Sequence, residues 1–340
     1  MKRYKAGQFA VSYQTRMMKK IAAMAGSKEN LLTWLQDNLG LGRASAYRRL
    51  NGEILFNLEE IVMIIQGFKI PVTELFDSHE SVQYFYLQKE TPNAYEDWFI
   101  SLEEEFAGLV DQTNPLLQYT STETPIFYYF HFDEIAHFKF YIWAKTIWGI
   151  ESLKDKPFKV EDPMWNDSVR QQKEIFLNRY TKIPSIEYWT PNCLSNNLNQ
   201  IRYFLESYLF EDRSVALLLC GQLRSMLKMI EEQTKTGYKK PYGDVKNPAT
   251  FQLYYNEILH TNNTLLFTSD TSQSLFTTFG NPNTLKTQQR STCAYAGEWF
   301  KKLRTSSLKI SPESERNRLR LFKKLEDKIT KAEKLFSGMI

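Results

Sequence analysis

The chain has 340 residues, of which 42% are apolar and 24% charged, and its net charge is +4. This composition is that of a globular protein with room for two domains. No run reaches the roughly 18 apolar residues that a membrane span needs, and no apolar stretch follows the basic start of the chain as in a signal peptide. We therefore expect a cytoplasmic protein without membrane contact.

The positive charge is concentrated at the N-terminal end. Residues 1–52 carry ten basic and two acidic side chains, a net charge of +8, whereas the remainder of the chain carries −4. A concentrated positive field on one module is what contact with phosphate groups requires. The alternative is an ordinary solvated face.

Short helices are predicted for most of residues 8–77. Gly40-Leu41-Gly42 forces a tight turn between the second and third of them, and Ala46 and Leu50, four residues apart, place one face of the third inward. Asn57 is a suitable cap for the fourth helix, which Gly67 ends. The other predicted helices are Gln8–Ala25, Ser27–Asn38, Arg43–Asn51 and Ile70–Phe76.

The segment from Leu39 to Glu53, LGLGRASAYRRLNGE, resembles the turn and third helix of Cro/C1-type repressors, the XRE family. Ile70–Phe76, IPVTELF, resembles the fifth helix of the same family. The resemblance covers residues 8–77 and departs from the family pattern at Leu50, where many members carry Glu, and at Gly42, where many carry Ser or Thr. It implies a helix-turn-helix domain that binds double-stranded DNA as a homodimer on a palindromic site.

The resemblance makes the third helix the recognition helix. Arginine at the entry of such a helix reads guanine through two hydrogen bonds, and groups further along more often contact phosphate. We expect Arg43, Ser45 and Arg48 near bases and Arg49, Lys28 and Lys19 near phosphates. Ala44 and Tyr47 complete the predicted DNA-binding surface.

The predicted fold class is α+β and predominantly α. A five-helix DNA-binding domain (1–77) and a linker (78–93) precede a large, mostly helical domain (94–340), with a possible subdivision near 237. Helices are expected from about residue 82 and over the ranges Ala94–Val110, Asp133–Trp148, Met164–Tyr180, Leu194–Phe210, Arg213–Thr234 and Ser291–Thr305.

A small antiparallel sheet is expected near the C-terminus. Phe251–Ile258 and Thr264–Thr268 alternate as strands around a turn at residues 260–263, and Gln273–Phe279 is a third strand. Up to two further strands are predicted within residues 115–132. Ser311 is the predicted cap of a final helix that continues to Phe336.

The high aromatic content, 14%, predicts either a ring-rich core or dimer interface, or a ring-lined pocket for an apolar or planar ligand. The candidate pocket residues are Phe127, Tyr129, Phe138, Tyr141 and Trp143.

Metal and enzyme chemistry find little support in the sequence. His131 and His137 lie about 240° apart around a helix, so they do not share a face as metal ligands would. Cys193, Cys220 and Cys293 have no C-x-x-C pair and are too scattered for a disulfide framework. No catalytic motif is present, and we expect neither enzymatic activity nor a cofactor.

The sequence thus favours a transcriptional regulator whose large domain dimerises and senses a small-molecule or protein signal. An enzyme fused to a DNA-binding module and a structural protein recruited to DNA are the two alternatives.

Overall fold

The computed structural model describes residues 6–68, 86–88, 95–259, 261–280 and 282–340. The chain divides into two compact units, Met1–Tyr84 and Phe85–Ile340. The predicted fifth helix, Ile70–Phe76, and the predicted domain boundary after residue 77 lie outside the described residues.

The four remaining helices predicted for the N-terminal unit are present, with bounds within two residues of the expected ones. Ser27 caps the second helix by accepting a hydrogen bond from the Asn30 backbone amide at 3.0 Å, and Gly40 ends it with φ at +64°. Asn57 and Glu60 form a reciprocal capping box at the start of the fourth. The helices are α1 (Ala6–Met24), α2 (Lys28–Leu39), α3 (Arg43–Leu50) and α4 (Leu58–Gly67).

The core of this unit is a small apolar cluster between the four helices. Ile21, Leu35, Ala46 and Ile64 have no exposed surface, so each helix contributes at least one fully buried side chain. The short side chain of Ala46 allows α3 to approach α2 closely.

The larger unit contains eight strands and eight helices in its described part. The strands are β1 (Tyr86–Gln88), β2 (Leu116–Ser121), β3 (Ser185–Trp189), β4 (Phe251–Tyr255), β5 (Thr264–Thr268), β6 (Gln273–Thr278), β7 (Thr284–Thr287) and β8 (Leu308–Lys309). The helices are α5 (Tyr95–Val110), α6 (Ile126–Tyr129), α7 (Asp133–Trp143), α8 (Asp167–Lys182), α9 (Ser195–Glu206), α10 (Val215–Thr236), α11 (Arg290–Ser306) and α12 (Glu315–Ser337).

All eight strands belong to one mixed sheet in the order β1-β7-β6-β5-β2-β3-β4-β8. β2, β3 and β4 run parallel to one another, and every other pairing is antiparallel. The connections between the parallel strands contain helices, as parallel pairing requires. All five residues of β3 are buried, which places this strand at the centre of the unit.

The prediction of a small antiparallel sheet near the C-terminus is wrong, because the sheet extends from Tyr86 to Lys309 and is parallel at its centre. The helix expected from residue 82 is also wrong where the structure describes it, since Tyr86–Gln88 is the edge strand β1. β4 and β5 do not form the predicted hairpin, because β3 and β2 lie between them. The alternation of apolar and polar residues identified these two strands, but it carries no information about which strands they pair with.

Two further boundaries differ from the prediction. The last helix begins at Glu315 with Ser314 at its N-cap position, because the Ser311 hydroxyl accepts a hydrogen bond from the Leu253 amide of β4 at 3.0 Å. The helix predicted over Asp133–Trp148 becomes a π-helical turn after Trp143, and residues 115–132 hold one strand, β2, and the short helix α6.

The two faces of the sheet carry different cores. One face packs against α11 through residues such as Ile186, Tyr188 and Leu266. The other face belongs to a much larger cluster that includes α7, in which every residue from Ile135 to Trp143 is buried. None of the described helices combines the length and the apolar character that crossing a membrane demands.

Gly67 offers a sharp test of packing in the N-terminal unit. A Cβ atom on Gly67 would lie 2.2 Å from Trp34 Cζ2, so we predict that Gly67→Ala destabilises this unit by about 1–3 kcal/mol through overpacking. Calorimetry of the full chain measures the loss, and faster amide hydrogen exchange in α2 and α4 assigns it to the N-terminal unit.

The matched control is Gly108→Ala near the end of α5, where an added Cβ has no neighbour within 4 Å. It should be neutral or slightly stabilising, because alanine is the better helix former by up to about 1 kcal/mol. Equal effects of the two substitutions would contradict the packing described for Gly67.

Candidate functional site

The third helix of the N-terminal unit presents a basic, solvent-facing surface. Arg43 and Arg48 have side chains that are 69% and 58% exposed, whereas Ala46 and Leu50 face the core. Arg43 pairs with Glu29 of α2, and Arg48 Nε lies 3.3 Å from Glu53 Oε2. Exposed pairs of this kind contribute at most about 1 kcal/mol, so both guanidinium groups can readily exchange these partners.

Arg49 occupies a different environment from its neighbours. Its guanidinium lies 3.2 Å from Glu60 Oε1, with both side chains less than one fifth exposed, and it also donates to the Ser45 hydroxyl. Glu60 in turn accepts from the Asn57 amide at 2.9 Å in the capping box of α4. The contacts of Arg49 with Ser45 and Glu60 therefore tie α3 to α4. Ser45 and Arg49 are both less exposed than Arg43 and Arg48.

The predicted phosphate contacts Lys28 and Lys19 lie on two other helices. Lys28 Nζ donates to Asn51 Oδ1 at 2.9 Å and lies 4.7 Å from the ring centroid of Tyr47. This contact joins the start of α2 to the end of α3 on one exposed surface. Lys19 is exposed on α1, and Ala44 is exposed on α3.

Gln14 of α1 has a structural role that the sequence did not indicate. Its side-chain amide donates to the carbonyls of Arg49 and Ile54, both at 2.7 Å, and accepts from the Phe56 amide at 2.9 Å. One side chain thus bonds to three backbone groups at the end of α3 and in the loop after it. Gln14 therefore ties the end of α3 to α1.

The larger unit contains a cavity of about 140 Å³ that is partly open to solvent. Its walls come from α5, α6, the end of α7 and one face of the sheet, and they include three of the five predicted pocket residues, Phe127, Tyr129 and Trp143. Its position fits the general rule that ligands bind beyond the carboxyl ends of parallel strands, because Glu123 and Thr124, which line it, follow β2 directly.

Two of the predicted pocket residues are not part of this cavity. Phe138 packs against Phe158, Phe204 and Phe210, and the Tyr141 hydroxyl donates to the Lys156 carbonyl. The reason for the error is that α7 is buried all round, so its aromatic residues face different surroundings that its sequence does not distinguish.

The floor of the cavity changes in polarity along the strands. Tyr119, Leu265 and Phe276 are paired across β2, β5 and β6 and form a mainly apolar row. Lys286 of β7 continues this row, with its Nζ 5.5 Å from the ring centroid of Phe276. The neighbouring row on the same face is polar, with Asn263, Thr278 and Thr284 at its positions, and Asn283 beside it. The cavity is therefore apolar on one side and polar on the other.

A buried ion pair lies at the wall of the cavity. Glu123 Oε2 lies 2.9 Å from Lys139 Nζ of α7, and both residues are buried. Lys139 also donates to Gln200 Oε1 at 3.0 Å and lies 5.5 Å from the ring centroid of Tyr129. Glu123 and Tyr129 line the cavity, so this cation stands directly behind its wall.

His137 and the three cysteines are buried, and His131 is half-buried. Burial lowers the pKa of His131 to about 3 and that of His137 to about 4, so both rings are neutral at pH 7. Burial raises the pKa values of Cys193 and Cys220 to about 12, which keeps these thiols protonated and unreactive. Within the described ranges, no group of three or more His, Cys, Asp or Glu side chains is arranged to hold a metal ion.

Residues 10–84 match the BetR domain, a helix-turn-helix-like N-terminal domain of regulators. The match spans four helices of the N-terminal unit and indicates a DNA-binding regulatory role for it. No curated protein and no solved structure matches the chain significantly.

Gln14 provides a test of how the recognition helix is held. We predict that Gln14→Ala lowers the free energy of unfolding of the N-terminal unit by about 2–3 kcal/mol, because the Ile54 carbonyl and the Phe56 amide lose their partner, whereas the Arg49 carbonyl keeps the Gly52 amide at 3.0 Å. Gln14→Glu keeps the shape but cannot supply two N–H donors, and it should also destabilise. Chemical denaturation followed by hydrogen exchange of the Arg49–Phe56 amides checks this.

Gln66→Ala is the control, since Gln66 is an exposed residue on α4 and its loss should change stability by less than about 0.5 kcal/mol. If Gln14→Glu were as stable as the natural chain, the three hydrogen bonds would have no role in holding the loop after α3.

Proposed function

We propose that the protein is a cytoplasmic, sequence-specific transcriptional regulator of the Cro/C1 type that binds DNA as a homodimer and responds to a ligand in its larger unit. The observation that carries the proposal is the exposed pair Arg43 and Arg48 on α3 of a unit that matches the BetR domain.

The dimensions and chemistry of α3 suit a major groove. An α-helix such as α3 is about 10–12 Å in diameter with its side chains, and the groove is about 12 Å wide. Gly42 caps its N-terminus without a side-chain hydrogen bond, so no cap side chain stands between the helix entry and a base edge. Arg43 is at this entry and Arg48 is in the last turn, and each presents a guanidinium that can bind guanine with two hydrogen bonds.

Arg49 has a positioning role in this proposal instead of the phosphate contact expected from the sequence. Its pair with Glu60 is partly buried, and breaking such a pair leaves a charge in a poorly solvated place. Lys28 and Lys19 keep the role of phosphate contacts, because both are exposed on the same unit.

A homodimer supplies what one module lacks. A single module of this size buries too little surface for tight specific binding, and two modules on a palindromic site place their recognition helices about 34 Å apart. We assign dimerisation to the larger unit, as the sequence suggested.

Ligand control would act through β1, the edge strand that follows the DNA-binding unit in the sequence. The cavity residue Thr284 lies on β7, where it pairs with Gln88 of β1. β1 begins at Tyr86, two residues after the N-terminal unit ends at Tyr84. A ligand that contacts β7 would therefore act on the strand pairing that anchors the connecting segment, and so on the spacing of the two recognition helices.

The described lining of the cavity favours binding over catalysis. It contains neither histidine nor cysteine, and its carboxylate, Glu123, is already paired with Lys139. A nucleophile beside a base, which an enzyme of the usual kind needs, is not assembled there.

The recognition surface is tested by Arg43→Ala combined with Arg48→Ala. A binding site is first selected from random DNA with the natural chain, and affinities for this duplex and for a scrambled one are measured by gel shift. We predict a loss of about 100-fold or more for the selected duplex, since each two-pronged contact contributes about 1–3 kcal/mol of discrimination, with unchanged stability.

The control for charge is Lys154→Ala with Lys301→Ala, which removes two exposed cations, 67% and 74% exposed, from the larger unit and should leave DNA binding intact. If the arginine double variant bound the selected duplex as tightly and as specifically as the natural chain, the assignment of α3 as the recognition helix would be wrong. Arg49→Ala should instead lower the stability of the N-terminal unit.

Lys19→Ala separates phosphate contact from base reading. We predict that it weakens binding to the selected and the scrambled duplex by the same factor, and that it lowers the slope of log affinity against log salt by about one. A selective loss on the selected duplex would show that Lys19 contacts a base edge.

A further inference from the structure

We infer that the exposed face of α12 is a second DNA-contacting surface, which binds the phosphate groups of a duplex without reading its sequence. The inference goes beyond the proposed function, because it gives the larger unit a DNA contact of its own. It rests on that function only in the choice of duplex DNA as the polyanion. The charge, the geometry and the ion pairs of α12 each support it.

The helix α12 is a basic element in an otherwise acidic part of the chain. Residues 315–337 carry eight basic and four acidic side chains, whereas the remainder of residues 53–340 has a net charge of −8. The acidic side chains are not spread evenly around the helix. Glu326 and Glu333 both bind Arg224 of α10, so two of the four acids are used on the side that faces α10.

The solvent side of α12 carries six exposed cations, which we call the basic face: Arg316, Arg320, Lys323, Lys324, Lys331 and Lys334. At about 100° per residue, these side chains lie within about 100° of arc, opposite the buried Leu325 and Ile329. Asp327 is the one acidic residue of α12 within this arc. From Arg316 to Lys334 the basic face extends about 27 Å along the helix axis.

Internal ion pairs neutralise little of the basic face. Lys323 lies 4.0 Å from Asp327, and Lys324 lies 3.4 Å from Glu257. Both pairs are exposed and therefore weak. Within the part of the chain that the structure describes, the other four cations of the basic face have no acidic partner. The basic face is thus available to an anion from outside the chain.

The first half of the basic face is unfavourable for the helix itself. Arg316 and Arg320 are four residues apart, as are Arg320 and Lys324, and like charges at this spacing destabilise a helix. Arg316 also lies in the first turn, where the helix dipole disfavours a cation. A surface that serves only solubility intersperses the two signs of charge. An anionic partner relieves both kinds of repulsion, so a polyanion gains more from this face than solvent does.

Duplex DNA fits the basic face better than an anionic membrane does. One strand of a duplex carries a phosphate about every 3.4 Å along the axis, so a face of about 27 Å spans roughly eight of them. The N-terminal unit matches a domain that indicates DNA binding, which brings a duplex to the same chain. A helix that lies on a membrane inserts its apolar stripe, and the stripe of α12, which includes Phe322, Leu325 and Ile329, is buried in the core.

The test uses the full chain with Arg316→Gln, Arg320→Gln, Lys331→Gln and Lys334→Gln combined. Fluorescence anisotropy gives the affinities for the selected and the scrambled duplex over a series of salt concentrations. We expect both duplexes to bind more weakly by the same factor, about tenfold or more, because phosphate contacts carry no sequence information. The slope of log affinity against log salt should fall by about three. An unchanged affinity and slope, or a loss confined to the selected duplex, would overturn the inference.

The matched control removes four exposed cations elsewhere in the larger unit, by Lys154→Gln, Lys156→Gln, Lys246→Gln and Lys301→Gln. It changes the net charge equally and should lower the slope by less than about one. If it weakened binding as much as the α12 variant does, net charge and not the basic face would be responsible.

Two measurements show that the α12 variant remains folded. Its unfolding temperature should be unchanged or higher, because the substitutions relieve repulsion between like charges. Arg316→Lys with Arg320→Lys keeps the charges and should bind both duplexes like the natural chain. If this conservative variant lost as much affinity as the α12 variant, the charge of the basic face would not be what binds DNA.

The scrambled duplex separates this inference from the proposed function. The double variant Arg43→Ala with Arg48→Ala should still bind the scrambled duplex, and adding the four α12 substitutions should weaken that binding by about tenfold or more. A failure of α3 to recognise a site therefore leaves the result for α12 intact. Conversely, a natural chain that prefers the selected duplex, with no effect of the α12 substitutions on either duplex, would leave the proposed function standing and overturn this inference.

Phosphatidylserine vesicles test the competing partner. We expect the natural chain to bind them at least about tenfold more weakly than the scrambled duplex at the same salt concentration, because α12 has no free apolar stripe to insert. If the vesicles bound as tightly as the duplex, and the α12 substitutions removed only the vesicle binding, the basic face would be a membrane contact and the inference would be wrong.

Discussion

The larger unit depends on one buried carboxylate. Glu187 of the central strand β3 has no exposed surface and accepts hydrogen bonds from Tyr128 at 2.8 Å, Tyr180 at 3.0 Å and the Trp189 indole at 2.9 Å. Burial raises the pKa of Glu187, and these donors oppose the shift. A buried carboxyl group is tolerated only when such partners surround it, so α6, α8 and β3 must meet at this point for the sheet to form.

This constraint also sets the shape of the cavity. Tyr128, which is bound to Glu187, lies on α6 between Phe127 and Tyr129, and these two neighbours line the cavity. Tyr180 holds the other side, since its ring stacks on Phe127 at 4.3 Å. The polar network therefore fixes the rotation of a helix of four residues that would otherwise have few restraints. A cavity that stays open inside an aromatic core needs walls held from behind in this manner.

Features that depend on residues close in the sequence could be predicted from it, whereas features that depend on contacts between distant residues could not. The cap at Asn57 could be predicted because its partner is three residues away, whereas the partners of Gln14 lie 35 to 42 residues away. Ser185–Trp189 is buried on both faces, so it lacks the alternation that marks a strand. Phe138 and Trp143 have similar apolar character, and only the elements packed around α7 decide that Trp143 alone of the two reaches the cavity.

The division of roles among the arginines bears on how a signal can act. Arg49 and Gln14 anchor α3 at partly buried and buried contacts, so the recognition helix is a rigid part of its unit, while Arg43 and Arg48 hold only exposed partners. Remodelling α3 itself would break the anchoring contacts and cost more than a small ligand supplies. The proposed ligand control would therefore act on the position of whole DNA-binding units, because half-site spacing is a strict geometric requirement. This proposal depends on the pairing of β7, which contributes Thr284 to the cavity, with β1, the first described strand after the N-terminal unit.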